Sequence, residues 1–323
     1  MFSAHSTILT AMNVTCLNAT NCSHELPISD HGPFIVFTTV LLALTVFLII
    51  LLNSLSLLVL HRARGIQETT KIFMVSLAVS DLCVGLFSAL PDLLQAISRK
   101  WVLGEFLCTA LGIVSPACYM ISTFSLLLLT VDRYVAIIHS LQYPRLLSPR
   151  RTKVIVALLW SVSLILCVLL FGLLAKSAMN TANQQCWRSL GIVFKCFTVC
   201  GLPIPLVIII VLYIHILKVA RRQARRIAAE NFRGNPPDGQ DAPQPISTKG
   251  ATTVIIITVT IFICWTPIVL LQFVNSMSEV INGLLHLFNV AYLSNSWLNC
   301  VIYYWRNKEL RQALHSLVSS YCH

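Results

Sequence analysis

From Leu107 to Val131 the chain carries no charged residue. Coiled as a helix, such a stretch is long enough to cross a hydrocarbon core of about 30 Å, which takes about 20 apolar residues. Directly after it stand an acid, a base and a phenol, Asp132-Arg133-Tyr134. Ionisable residues at the edge of a membrane span are costly to desolvate, so the pair is a functional-site candidate by default.

The rest of the chain repeats the apolar theme. Hydrophobic residues make up 56% of it and charged residues 11%, against about 25% charged in a soluble domain. Seven apolar segments fall at roughly 34–60, 71–97, 105–138, 152–175, 190–218, 250–275 and 281–304. The formal net charge of +11 does not point to nucleic acid, because the basic residues lie between the apolar spans. Eighteen of the Lys and Arg side chains fall on one side of the alternation and five on the other. That asymmetry puts the C-terminus in the cytoplasm. Three sequons, at Asn13, Asn18 and Asn21, cluster in a polar leading segment without Lys or Arg, which marks an extracellular, glycosylated N-terminus. The first residues lack the basic start and apolar run of a signal peptide, so the first span is expected to direct insertion itself. The twelve cysteines lie mostly inside apolar spans, as small hydrophobes, and form no metal-binding pattern.

Three regions result: an extracellular tail over 1–33, a membrane domain over 34–305, and an amphipathic helix with a short cytoplasmic tail over 306–323. After Trp305 polar and apolar residues alternate at helical spacing, as expected of a helix lying along the inner membrane surface. Residues 231–245 are rich in Pro, Gly, Asn and Gln and read as a tether between spans five and six.

Each span carries one marker, and the markers come in order: Asn53, then Leu77-Ala78-Val79-Ser80-Asp81, then Asp132-Arg133-Tyr134, then Trp160. Pro205 and Tyr213 follow in the fifth span, Cys264-Trp265-Thr266-Pro267 in the sixth, and Asn299 with Tyr303 in the seventh. In this set the chain resembles the rhodopsin-like (class A) G-protein-coupled receptors from about residue 40 to 315. The resemblance implies an all-α bundle of seven transmembrane helices with a short amphipathic eighth helix, in the plasma membrane. It also implies transduction of an extracellular signal to a heterotrimeric G protein. Membrane lipids are then partners, nucleic acid is not, and no enzyme chemistry is expected.

Residue by residue, the resemblance pairs Cys108 with Cys186 in a disulfide. It places Asp81, Ser122, Asn295, Ser296 and Asn299 at an allosteric sodium site, where oxygen ligands around one carboxylate suit a hard cation. The same residues would also serve as a packing cluster without an ion. Asp132, Arg133, Tyr134, Tyr213, Trp265, Pro267 and Tyr303 match the activation switch. Pro267 removes a backbone hydrogen bond and so gives the sixth helix a pivot.

The departures matter as much. Cys300 stands where the family normally has proline, and Ser140 replaces another usual proline. No Asp or Glu opens the sixth span to reach Arg133, so appreciable signalling without ligand is expected. Ser115 takes the place of the amine receptors' aspartate, and Leu293 that of the retinal-binding lysine. The expected pocket wall is Ser115, Tyr119, Phe197, Trp265, Ile268, Val269, Gln272 and Asn289, which fits a small, largely apolar or neutral ligand. Asp92 is the one acid near that pocket; it either meets a cation or pairs with Arg99 or Lys100. A small transporter or channel is the rival reading, and would call for charged residues lining several spans, whereas only Asp81 lies deep.

Overall fold

The computed structural model describes residues 32–63, 65–99, 101–178, 201, 203–232, 248–271 and 279–321. Regular structure among them is entirely helical. Helix α1 is Gly32–Arg62. Helix α2, Glu68–Val84, continues through a π-helical turn at Gly85–Ala89 into α3, Leu90–Ser98. Helix α4 is Gly104–Ile138, α5 the short Tyr143–Leu146, and α6 Pro149–Ala178. Then come α7 (Pro203–Phe232), α8 (Thr248–Leu271), α9 (Glu279–Arg306) and α10 (Lys308–Tyr321). With α2 and α3 taken as one rod, the seven expected spans appear as seven long helices in order. The described part of the fifth begins at Pro203, and its expected start near 190 lies outside the described residues.

Four of these rods are long and apolar enough to cross a membrane over their described residues: α1, α2 with α3, α4, and Pro149–Leu170 of α6. Shorter apolar stretches, Pro203–Val219 and Val259–Leu271, lie in α7 and α8. Their surfaces are inverted relative to a protein in water. Val36, Val40, Leu44, Phe47 and Leu51 form an exposed stripe on α1, and Val154, Leu158, Val162, Ile165 and Leu169 form one on α6. Asn53, Asp81 and Asp132, meanwhile, are 0% exposed. Lipid makes this arrangement stable, because apolar side chains lose nothing by facing it and polar groups find partners only inside.

Helix α4 is the axis. Its most apolar stretch is 67% buried, against 11% for α6, so α6 is peripheral. Helix α4 packs on α2, α6 and α7, while α9 packs on α8 and α1, and α1 closes the ring against α2. Trp160 fixes α6 in place by donating to Ser76 Oγ at 3.1 Å, and Ser76 bonds Ser125 of α4 at 2.9 Å.

Local chemistry explains the irregularities. Pro91 has no N–H to donate, and just before it the helix widens, with Leu90 N–H reaching back to Gly85. Gly85 lets α1 lie against that turn, since a Cβ there would sit 2.7 Å from Ile49 Cγ2. Helix α3 stops at Arg99, whose φ of 53° is left-handed. Asn307 starts α10 by accepting the Glu309 backbone N–H at 2.9 Å. Leu310 and Leu317 are the buried face of α10, which extends the expected amphipathic helix as far as Tyr321.

Candidate functional site

Three polar clusters run through the bundle. At one end, Asp132 is fully buried and its carboxylate is saturated. Tyr143 donates to Oδ1 at 2.6 Å, and Thr70 donates to Oδ2 at 2.8 Å. Arg133 reaches Oδ2 with Nη2 at 2.7 Å and Nε at 3.1 Å. Its guanidinium also contacts Thr70. Thr69 and Thr70 belong to the first turn of α2 and Tyr143 opens α5, so three elements converge on one carboxylate. Thr69 also bonds the Tyr143 hydroxyl. Burial, and then the Asp132 carboxylate beside it, push the Tyr143 phenol above its ordinary pKa, so it stays protonated and donating. Arg133 itself is 42% exposed in its side chain, which leaves it free to change partners.

The other switch residues separate. Tyr134 turns towards α7, with its hydroxyl 2.8 Å from His215 Nδ1. Tyr213 bonds Thr130 of α4 at 2.9 Å. Pro267 lies inside α8, two residues beyond the buried Trp265. Thr69, Thr70 and Tyr143 escaped sequence reasoning: they lie in flanking segments, and no spacing rule links them to a carboxylate 62 residues from Thr70.

The middle cluster surrounds Asp81, which is 0% exposed. Ser122 donates to its Oδ1 at 2.6 Å, Asn299 approaches Oδ2 at 3.5 Å, and Ser296 is in hydrogen-bonding reach. Asn295 Oδ1 is buried without a hydrogen-bond partner. Thus the structure brings Ser122, Ser296 and Asn299 to Asp81, and shows no contact of Asn295 with that carboxylate among the described residues; oxygen donors around one buried carboxylate fit a small hard cation. Towards the Asp132 end a small cavity of about 20 Å³ adjoins Asp81, lined by Asn53, Ser56, Asn299, Cys300, Tyr303 and Tyr304 among others. That is room for about one water. Here Cys300 donates its thiol to Asn53 Oδ1 at 3.1 Å, and Asn53 Nδ2 donates to the Ile49 and Ser296 carbonyls at 3.0 and 3.3 Å. The residue replacing the usual proline therefore ties α9 to α1.

The third cluster lies at the Cys108 end. Tyr119 bonds Ser88 at 2.8 Å and sits 5.0 Å from Tyr292, ring to ring; Tyr292 is 5.8 Å from Trp265. Ile268 is buried, and Ser115, Val269 and Asn289 are partly buried. Asp92 accepts from Asn289 Nδ2 at 3.2 Å across the bundle. No pairing of Asp92 with Arg99 is present among the described residues, and Lys100 lies outside them. Tyr292 and Ser88 are further members that sequence spacing did not single out. Cys108 is disulfide-bonded. Cys186, Phe197, Gln272 and the sequons at Asn13, Asn18 and Asn21 lie outside the described residues.

A family model described as 7 transmembrane receptor (rhodopsin family) matches residues 52–303. The chain is 27% identical to an alpha-1A adrenergic receptor of Oryzias latipes, over 97% of this chain and 73% of that one. It is 28% identical to G-protein coupled receptor 52 of Mus musculus, over 89% and 82%. It is 27% identical to the histamine H2 receptor of Homo sapiens, over 94% and 81%.

Proposed function

The chain belongs to the rhodopsin family of seven-transmembrane receptors, and on that footing we propose that it passes an extracellular signal to a heterotrimeric G protein at its Asp132 end. In this reading the glycosylated tail and the Cys108–Cys186 disulfide face outwards at the plasma membrane. The Asp132 end is cytoplasmic, and α10 lies along the inner lipid surface. A small, largely apolar ligand enters among Tyr119, Trp265, Ile268, Val269 and Asn289. Its binding shifts Trp265 and the Pro267 pivot, and α8 moves away from α4.

The observation that carries the reading is the Asp132 cluster: a buried acid, multiply bonded, holding a half-exposed arginine at the edge of the bundle. With the guanidinium 42% exposed, solvent screens the ion pair to about 1 kcal/mol or less, so a new partner can take the arginine, which makes it a two-state element. Beside it Leu141 is 95% exposed, and Arg221, Arg222 and Arg225 project from α7. An exposed apolar side chain and exposed basic ones on the segments that follow α4 and end α7 are groups a docking partner can use. Because residues 246–260 contain no acid, Arg133 lacks a second restraint from that direction, and ligand-free output is expected. In a cell assay of G-protein activation, the wild type should exceed an Arg133→Ala variant expressed at equal surface density. Equal output from the two would remove the basal-activity reading.

Sodium, when bound, supplies the positive charge that the Asp81 carboxylate otherwise lacks. Asp81, Ser122, Asn295, Ser296 and Asn299 are the residues that would hold it. Purified receptor should melt at a higher temperature in about 0.15 M sodium chloride than in choline chloride of equal strength, as any ligand of the folded state requires. Asp81→Asn should abolish the difference. A salt response that survives in that variant would place sodium elsewhere. The transporter reading is not favoured by the family match.

A further inference from the structure

The one carboxylate within the bundle at the Cys108 end, among the described residues, is that of Asp92. It is mostly buried, and its hydrogen bond from the Asn289 amide is to a neutral donor. Arg99 lies past the left-handed end of α3 and is exposed, and no ion pair joins it to Asp92 among the described residues. A carboxylate within a membrane bundle with a single neutral partner among the described residues is costly, and the cost is relieved by a cation or by a proton.

The neighbours indicate an organic cation. Tyr119, Tyr292 and Trp265 form a continuous run of rings with centroids 5.0 and 5.8 Å apart, and ring faces attract a cation within about 6 Å. The Trp265 indole N–H is buried without an acceptor, and Gln95 Oε1, three residues on from Asp92, is buried without a donor. An acid with its amide, a run of rings and two unmatched hydrogen-bonding atoms at one end of the bundle are the kind of groups a small-molecule site uses. Ser115, where the amine receptors of the family carry their aspartate, brings no charge.

We propose that Asp92, steadied by Asn289, recognises an ammonium group on the extracellular ligand, whose apolar body lies along Tyr119, Tyr292 and Trp265. This rests on the receptor reading and narrows its ligand to a small, largely apolar molecule with one positive charge. The charge is read from α3 rather than from α4.

The test uses intact cells and sensors for each G-protein class, with phenethylamine, tyramine and histamine as probes and phenethyl alcohol as the neutral counterpart. The wild type, Asp92→Asn, Asp92→Glu and Arg133→Ala are each compared with their own unstimulated level. At least one amine should change the wild-type signal while phenethyl alcohol does not. Asp92→Asn should raise the half-maximal amine concentration by tenfold or more, and Asp92→Glu should recover part of it. The proposal is overturned if every amine is silent on a wild type whose basal output exceeds that of Arg133→Ala. It is also overturned if Asp92→Asn responds as the wild type does, meaning that the acid carries its own proton, or if the alcohol matches the amines. Amine responses of the wild type that persist unchanged in Arg133→Ala would instead bring down the reading of Arg133 as the G-protein switch, on which the proposal rests.

Discussion

Asp132→Ala should raise ligand-free G-protein activation about tenfold and lower the melting temperature of the purified protein. The change removes the acceptor for Tyr143 and Thr70, two buried hydroxyls bonded at 2.6 and 2.8 Å. Each donor left unmatched costs about 1–3 kcal/mol. The Arg133 ion pair adds little to stability, because the guanidinium is 42% exposed and solvent screens such pairs to about 1 kcal/mol or less. Its loss matters for the equilibrium instead, since Arg133 is no longer held in the resting arrangement. If about 1.4 kcal/mol of the total is lost from the resting state alone, the active fraction rises tenfold. Tyr143→Phe removes one donor of the same network and should move both readouts the same way by less. Basal output at the wild-type level in Asp132→Ala, with surface expression intact, would show that this cluster does not restrain the receptor.

Restoring the family's proline should also have a large effect. Cys300 lies within the continuous helix Glu279–Arg306, so its backbone N–H points at the Ser296 carbonyl, which also accepts from Asn53 at 3.3 Å. Cys300→Pro removes that N–H, crowds the carbonyl and deletes the thiol donor to Asn53. Proline inside a helix costs about 3 kcal/mol or more where the surroundings are built for a straight one. The variant should therefore melt several degrees lower and show raised basal output, as α9 is freed from α1. Cys300→Ser keeps a donor at nearly the same place and should stay close to the wild type, whereas Cys300→Ala should fall between. A proline variant with unchanged melting and output would show that the thiol bond contributes nothing.

Much of this was legible in one dimension, for identifiable reasons. A membrane-crossing helix satisfies its own backbone, so its existence depends on local composition, and the seven spans and their order follow from apolar runs alone. The Asp81 cluster was legible because its members sit in motifs whose order along the chain is specific. Cys300 was visible as a departure, but its bond to Asn53 was not. The structure adds a tie between helices that no departure from a motif reveals.

The sequence by itself determined that this chain crosses a membrane seven times, belongs to a receptor family and carries an acid-base pair at the edge of its central helix. Tertiary structure alone decided the partners. Thr70 meets Asp132 across 62 residues, Asn289 meets Asp92 across 197, and Cys300 meets Asn53 across 247. Hydropathy says that a helix is buried, but not which way it is rotated about its axis. A rotation of one residue, about 100°, would send each of these side chains to lipid or to a different neighbour. The packing of α4 against α2, and of α9 against α1, sets that rotation, and with it where Asp92 and Asp132 look.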